Sequence, residues 1–254
     1  MAKTIKVSTK KNKNITLTDA EYKAGGGEGE VYAKDGIAYK IYHDIHKMLP
    51  VAKIHELQVL KDIPEIIIPD EILFNQNSQE IGYSMKYVED REYLCKLFTK
   101  GFRNKANVSN NDINELVKQM QRILGEIHKR QIIVGDYNEM NFVLDSSLKT
   151  VFHIDTDSWQ TPSFKGTAIM PTVRDMTVPM GLFNEITDWY SWAIVTFQLY
   201  IGVHPYKGRH PKYTAQDFEK RVIDKISVFN SDVEIPLTAQ DFSVIPKIQL
   251  DWYK

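Results

Sequence analysis

The sequence lacks several features that mark specialised classes of protein. It contains one cysteine, Cys95, and therefore allows no disulfide within the chain. Its first residues carry lysines but no apolar run of the kind found in signal peptides. The most apolar stretch, residues 189–203, is too short to span a bilayer and includes Ser191, Thr196 and Gln198. We therefore expect a cytoplasmic protein without a membrane partner.

An excess of charge of either sign is also absent. The chain has 32 basic and 33 acidic residues, so it lacks the broad basic surface of dedicated nucleic-acid binders, and we expect no nucleic-acid partner. With 43% hydrophobic residues, the composition excludes fibrous and disordered classes. A length of 254 residues suits one large domain or two smaller units that share a cleft.

Strand patterns dominate the first third of the chain. Alternating segments at residues 4–7 and 15–18 predict a hairpin. A glycine-rich run follows at residues 24–32, and the pair Asp35-Gly36 between two β-prone runs predicts a second hairpin. Residues 66–68, 71–74 and 81–88 are predicted to be further strands. The chain thus begins with a small antiparallel sheet that carries a glycine-rich loop.

Helical patterns dominate the remainder. Pro50 opens a helical pattern in which Val51, Ile54 and Leu57 fall on one face. Apolar residues recur at helical spacing over residues 112–130 and again over residues 189–202. A strand-rich part followed by a helix-rich part predicts two lobes with a cleft between them.

Two groups of residues have the chemistry to handle phosphate. Glycines between two strands let backbone N–H groups approach a triphosphate closely, and Lys40 on the next strand supplies a fixed cation. Glu56, on the predicted helix, could orient that lysine through an ion pair. The second group is Asp136 and Asn141, between a helix and a hydrophobic strand, with Asp155 after the next strand. This order is typical of phosphoryl transfer to a hydroxyl with Mg²⁺.

Taken in order, these residues resemble the protein-kinase-like family over residues 20–210. The resemblance implies an α+β, two-lobed fold: residues 1–88 form a β-rich N-lobe with one main helix, and residues 89–254 a mostly helical C-lobe. Only about forty residues remain after the match, so the last C-lobe helices could be missing. The strings GGEGEVY, GDYNEMN and IDTDSWQ are most similar to a divergent bacterial and phage branch.

The resemblance also implies a role for each site residue. Asp136 would hold the acceptor hydroxyl, Lys40 would bind the phosphates and Glu56 would orient Lys40. Asn141 and Asp155 would hold Mg²⁺. The residues implied for ATP binding are Gly25, Gly26, Gly27, Gly29, Val31, Ala38, Lys40, Met85 as gatekeeper, and the hinge residues Lys86, Tyr87 and Val88. In the family, the counterpart of Asp188 braces the catalytic loop.

Departures from the family pattern leave the activity open. Val134-Gly135 stands in place of the usual His-Arg, and Asp155-Thr156-Asp157 in place of Asp-Phe-Gly. The expected function is an ATP- and Mg²⁺-dependent Ser/Thr protein kinase with an unidentified acceptor. One alternative is a pseudokinase that binds nucleotide without transfer. The other is a small-molecule kinase, since kinases of that class carry a glycine before the catalytic aspartate, as Gly135 does here.

Overall fold

A five-stranded antiparallel sheet forms the centre of the first lobe. The computed structural model describes residues 4–11, 14–167 and 169–254. The sheet has the strand order β3-β4-β5-β7-β6, and a separate hairpin pairs β1 with β2. The strands are β1 (Thr4–Val7), β2 (Ile15–Thr18), β3 (Tyr22–Gly25), β4 (Gly29–Lys34), β5 (Ile37–Tyr42), β6 (Pro69–Phe74) and β7 (Glu80–Lys86).

Both predicted hairpins are confirmed. In the first, Thr4 faces Thr18 and Val7 faces Ile15, although residues 12 and 13 of its turn lie outside the described residues. In the second, β4 and β5 are joined by Asp35 and Gly36, whose φ angles of 51° and 73° are both left-handed. A two-residue turn of this kind matches the twist of the strands, which is why the Asp-Gly pair predicted it.

The strand predicted over residues 66–68 is not formed. Ile66 makes only an isolated parallel bridge to His153. The Ile67 N–H donates to the His153 carbonyl at 2.9 Å, and the His153 N–H donates to the Glu65 carbonyl at 2.8 Å. Ile66 and Ile67 are buried. This apolar run is therefore a connection between the lobes, which we call the 65–67 bridge.

The second lobe is mostly helical. The α-helix α1 (Val51–Leu57) belongs to the first lobe. The elements of the second lobe are β8 (Glu92–Tyr93), α2 (Lys100–Lys105), α3 (Asn110–Lys129), β9 (Phe142–Leu144), β10 (Val151–His153), α4 (Glu185–Ile201), α5 (Phe218–Ile223) and α6 (Lys247–Tyr253). Strands β8, β9 and β10 form a small sheet. After α4 the described chain contains only short helices and loops.

Two long helices begin before the residues that their apolar patterns predicted. Ser109 and Asp112 form a reciprocal capping box at the start of α3. Asn184 and Thr187 do the same for α4, which places four residues of helix ahead of Trp189. Capping pairs satisfy the first backbone N–H groups of a helix, so they fix its start independently of the apolar face.

One hydrophobic core continues through both lobes. It joins Leu57 and Leu60 near α1 to Leu116 and Leu124 of α3 and to Leu199 of α4, all fully buried. No helix among the described residues is long and apolar enough to cross a membrane. The α+β class and the two-lobed arrangement predicted from the sequence are confirmed, whereas the proposed lobe boundary at residue 88 stays a prediction.

Gly82 is expected to tolerate no side chain. A Cβ built on this β7 residue would lie 1.9 Å from the carbonyl oxygen of Lys40 on β5. The backbone cannot move aside as a flexible side chain does. Gly82→Ala should therefore lower the free energy of unfolding by about 1–3 kcal/mol or more. Urea denaturation of the purified chain measures this loss.

The matched control for this substitution is Gly125→Ala in α3. Among the described residues, and apart from the backbone of its own helix, a Cβ at Gly125 meets no atom within 4 Å, and alanine is the better helix former by about 1 kcal/mol. We expect this control to be as stable as the unchanged chain or slightly more so. Equal stability of the two alanine variants would contradict the close approach of β5 and β7.

Candidate active site

A cavity of about 430 Å³ lies between the sheet of the first lobe and the start of the second lobe. Its lining includes every residue that the sequence assigned to nucleotide or metal binding: Gly25, Gly26, Gly27, Gly29, Val31, Ala38, Lys40, Met85, Lys86, Tyr87, Val88, Asn141 and Asp155. Ile67, Tyr83, Tyr93, Met140 and Ile154 add apolar surface. A concave, largely apolar site with a few charged groups is the usual form of a small-molecule pocket.

The glycine-rich loop covers one side of the cavity. The Gly26 N–H donates to the Gly29 carbonyl at 3.0 Å, and the Glu28 carbonyl accepts from the His43 N–H at 2.9 Å. A Cβ at Gly26 or Gly27 would meet nothing within 4 Å, so both positions leave the backbone open to a ligand. A Cβ at Gly29 would lie 2.3 Å from the Ile41 carbonyl oxygen. Gly29 is therefore required by the sheet itself.

The predicted hinge offers a free backbone donor. Met85 lies beside Ala38 in the pairing of β7 with β5. The Tyr87 N–H is occupied, since it donates to the Gly36 carbonyl at 2.9 Å, but the Val88 N–H donates to no backbone carbonyl of the described residues. Val88 is buried and lines the cavity. Its N–H is thus available to a polar ligand edge.

Lys40 lies among three carboxylates, and Glu56 is not one of them. Within the described residues its ammonium pairs with Asp157, with Glu28 at 3.3 Å and with Asp155 at 3.7 Å. The side chains of Lys40 and Asp157 are buried, whereas those of Glu28 and Asp155 are 66% and 51% exposed. The buried Asp157 is therefore the principal partner of Lys40.

The predicted ion pair between Lys40 and Glu56 does not form. Helix α1 buries Lys53, Ile54 and Leu57, which leaves Glu56 outside that face. The Glu56 carboxylate instead accepts the Ser163 N–H at 3.1 Å. The inward polar group of α1 is Lys53, whose ammonium donates to the Asp157 carbonyl at 2.6 Å.

These neighbours shift the pKa values around Lys40. Burial alone would lower the pKa of Lys40, but Asp157, together with Tyr42 and Asp155, outweighs burial and raises it. Burial would likewise raise the pKa of Asp157, but the Lys40 ammonium holds it below its usual value. Burial and the charge of Asp157 both raise the pKa of Asp155. Asp157 is therefore the carboxylate that stays ionised beside Lys40.

Asp136 is held by a loop of residues 134–141 that we call the Asp136 loop. The Asn141 amide nitrogen donates to the Asp136 carbonyl at 3.0 Å, which ties Asp136 to a residue of the cavity lining. One carboxylate oxygen of Asp136 accepts the Met170 N–H at 2.7 Å. Its other oxygen accepts no hydrogen bond from the described residues. Asp136 itself stands beside the cavity and is not part of its lining.

Asp188 supports the Asp136 loop from below, as the resemblance implied. Its fully buried carboxylate accepts the N–H groups of Val134 and Gly135, each at 2.8 Å. It also pairs with Nε2 of His128 at 2.9 Å. Gly135 has a φ of 71°, in the left-handed region that favours glycine. The glycine before Asp136 is thus explained by the backbone turn alone.

The donor set suits Mg²⁺. Because its nitrogen is turned to Asp136, the Asn141 amide has its oxygen left for a metal, and Asp155 adds carboxylate oxygens in the same cavity. Mg²⁺ prefers such hard oxygens and completes its shell with water and phosphate oxygens. No three His, Cys, Asp or Glu side chains of the described chain form a complete metal site by themselves. The residues therefore fit a metal that is shared with a nucleotide.

Comparisons with known proteins agree with this architecture. No family model matches the chain. A protein of Caenorhabditis elegans described as a putative ribosomal protein S6 kinase alpha-2 is 21% identical over 240 residues, which are 85% of this chain and 30% of that protein. The solved structure of the Cydia pomonella granulovirus kinase PK-1 has a TM-score of 0.64 and 15% identity, covering 92% of this chain and 86% of that one. The chain thus spans under a third of the nematode relative.

The sequence reasoning missed several residues with direct contacts in the site, among them Asp157, Lys53 and Met170. Asp157 and Lys53 were not assigned to Lys40 or its surroundings, and the contact of Met170 with Asp136 was not foreseen. Asp157 had a visible signal, because it follows Asp155 by two residues in the same turn. Lys53 had one too, as a lysine within the apolar face of α1. The Met170 contact spans 34 residues of irregular chain and had none.

Proposed function

We propose that the chain is a member of the protein-kinase-like superfamily and that it transfers the γ-phosphoryl group of Mg·ATP to a hydroxyl, that of serine or threonine in a protein. Its similarity to two kinases supports this proposal. The observation that carries the proposal is the cavity itself, which collects the glycine loop, Lys40, Asn141 and Asp155 with Asp136 alongside. This combination serves no obvious structural need, since it places an ammonium and an exposed carboxylate on an open cleft.

Each residue has a role that follows from its position. Lys40 neutralises charge on the phosphates. The free oxygen of Asp136 takes the proton of the acceptor hydroxyl. At the same time the hydroxyl oxygen bonds to the γ-phosphorus, and the bond between this phosphorus and ADP breaks. Asn141 and Asp155 would hold Mg²⁺, which when bound neutralises charge on the phosphate oxygens. Such catalysis depends mainly on positioning and electrostatic stabilisation.

The role of Asp155 can be tested by binding as well as by activity. Asp155→Asn keeps the shape of the side chain but removes its charge, so the gain in ATP affinity on adding Mg²⁺ should fall by at least about tenfold. A fluorescent ATP analogue titrated with and without Mg²⁺ measures that gain. Label transfer from γ-labelled ATP to dephosphorylated casein measures the reaction in parallel.

Asp251→Asn is the matched control, because it neutralises an exposed aspartate on α6 whose ion-pair partner among the described residues is Lys247. Its Mg²⁺ dependence should equal that of the unchanged chain. If Asp155→Asn keeps the full Mg²⁺ dependence, the metal role of Asp155 is wrong.

A second candidate function is nucleotide binding without transfer. It is favoured by the Met170 N–H on Asp136, which occupies one of the two carboxylate oxygens that an acceptor would approach. In that case ATP would bind, but neither casein nor any of a set of small hydroxyl compounds would be labelled. Labelling of small compounds alone would identify a small-molecule kinase.

A further inference from the structure

The contacts around Lys40 indicate that a residue other than Glu56 holds its ammonium in place. Of the three carboxylates near its ammonium, Asp157 is buried, whereas Glu28 stands on the exposed glycine loop. Charge pairs near water are weak because solvent and salt screen them, while buried pairs are screened much less. Asp157 therefore fixes the ammonium far more firmly than Glu28.

Asp157 is itself held from two further sides. The Tyr42 hydroxyl donates to the same carboxylate at 2.9 Å, and the Lys53 ammonium donates to the Asp157 carbonyl at 2.6 Å. Tyr42, Lys53 and Asp157 are all buried. A carboxylate that is fixed by neighbours on separate elements is a preorganised partner.

We propose that Asp157 is the positioning residue that holds Lys40 toward the phosphates, and that Lys53 of α1 secures it. Glu56 makes no ion pair with Lys40, and its carboxylate accepts the Ser163 N–H. The inference rests on the proposed function for its catalytic meaning.

Loss of the Asp157 charge has a specific consequence. The carboxylates then left near the Lys40 ammonium in the cavity lining are Glu28 at 3.3 Å, which is 66% exposed, and Asp155 at 3.7 Å. Without Asp157, Lys40 is shared between these two carboxylates, which draws the lysine away from the phosphates and ties up Asp155, the carboxylate that would bind the metal. Ligands with phosphates lose affinity, and ligands without them do not.

The test compares the affinity of the Asp157→Asn variant for ATP with its affinity for adenosine. Hydrogen bonds to charged groups contribute enough that ATP affinity should fall by about 10–100-fold. Adenosine affinity should stay close to that of the unchanged chain, a result that a merely structural role of Asp157 would not give. Tyr42→Phe removes only the hydroxyl donor. It should also lower the ATP affinity relative to the adenosine affinity, but by a smaller factor. Asp251→Asn again serves as the control for charge.

Glu56→Gln is the competing arm of the experiment. If ATP affinity relative to adenosine falls in Glu56→Gln and not in Asp157→Asn, the assignment is overturned. Unchanged or tighter ATP binding by Asp157→Asn overturns it as well.

A thermal unfolding cycle without nucleotide keeps this inference separate from the proposed function. Lys40→Met, Asp157→Asn and the double variant are compared with the unchanged chain. If the two residues are partners, the double variant should lose less Tm than the sum of the single losses. Additive losses would overturn the pairing. A chain that binds no ATP refutes the proposed function, and the cycle still decides whether Asp157 holds Lys40.

Discussion

Replacing Asp136 with alanine should lower the rate of phosphoryl transfer by about 10²–10⁴-fold. One oxygen of the Asp136 carboxylate accepts no hydrogen bond from the described residues and is free to accept the hydroxyl proton. ATP affinity should change little, because Asp136 stands outside the cavity lining. The two effects together separate a residue that acts on the acceptor from one that binds nucleotide.

Single-turnover transfer from γ-labelled ATP measures the first effect, and titration with a fluorescent ATP analogue measures the second. Asp136→Asn should be nearly as inactive as the alanine variant, because the amide accepts a hydrogen bond but takes up no proton. An alanine variant that loses ATP binding as well would contradict the assigned role. A variant that keeps full transfer would exclude Asp136 as the base.

Replacing Asp188 with alanine should cause the largest loss of stability. The substitution leaves the buried N–H groups of Val134 and Gly135 without an acceptor and removes the partner of His128. Each orphaned N–H costs about 1–3 kcal/mol, which predicts a loss of about 2–6 kcal/mol. For a chain of this length, Tm falls by about 2–4 °C for each kcal/mol. Differential scanning calorimetry measures the change.

Two variants calibrate that result. Asp188→Asn retains one acceptor oxygen and should lie between the alanine variant and the unchanged chain. Glu185→Ala removes an exposed carboxylate from the first turn of the same helix and should cost no more than about 1 kcal/mol. Equal losses for Asp188→Ala and Glu185→Ala would show that the Asp136 loop does not depend on Asp188.

The lining of the cavity could be predicted because it follows from local order. Ala38 and Lys40 are two residues apart on β5 and therefore share a face, and the glycine loop directly precedes the strand that pairs with β5. Asn141 lies at the end of the Asp136 loop, and Asp155 follows a strand that the apolar pattern predicted. No long-range information was needed to bring these side chains to one cleft.

The partner of Lys40 could not be predicted, because it depends on how a short helix is rotated. Helix α1 has seven residues, and its packing buries Lys53 with Ile54 and Leu57. That rotation is set by contacts with residues more than a hundred positions away, such as Asp157. The 65–67 bridge was misassigned for a related reason, since a short apolar run has the same pattern in a strand and in a buried connection.

The 65–67 bridge also limits how the cleft can move. The lobes are joined by the chain that leaves β7 at Lys86 and, separately, by the two hydrogen bonds between residues 65–67 and His153. Further contacts between the lobes, such as the pair of Arg130 with Asp62 and the Lys53 contact with the Asp157 carbonyl, add to this link, as does the shared hydrophobic core. One lobe therefore cannot slide along the other without breaking these contacts.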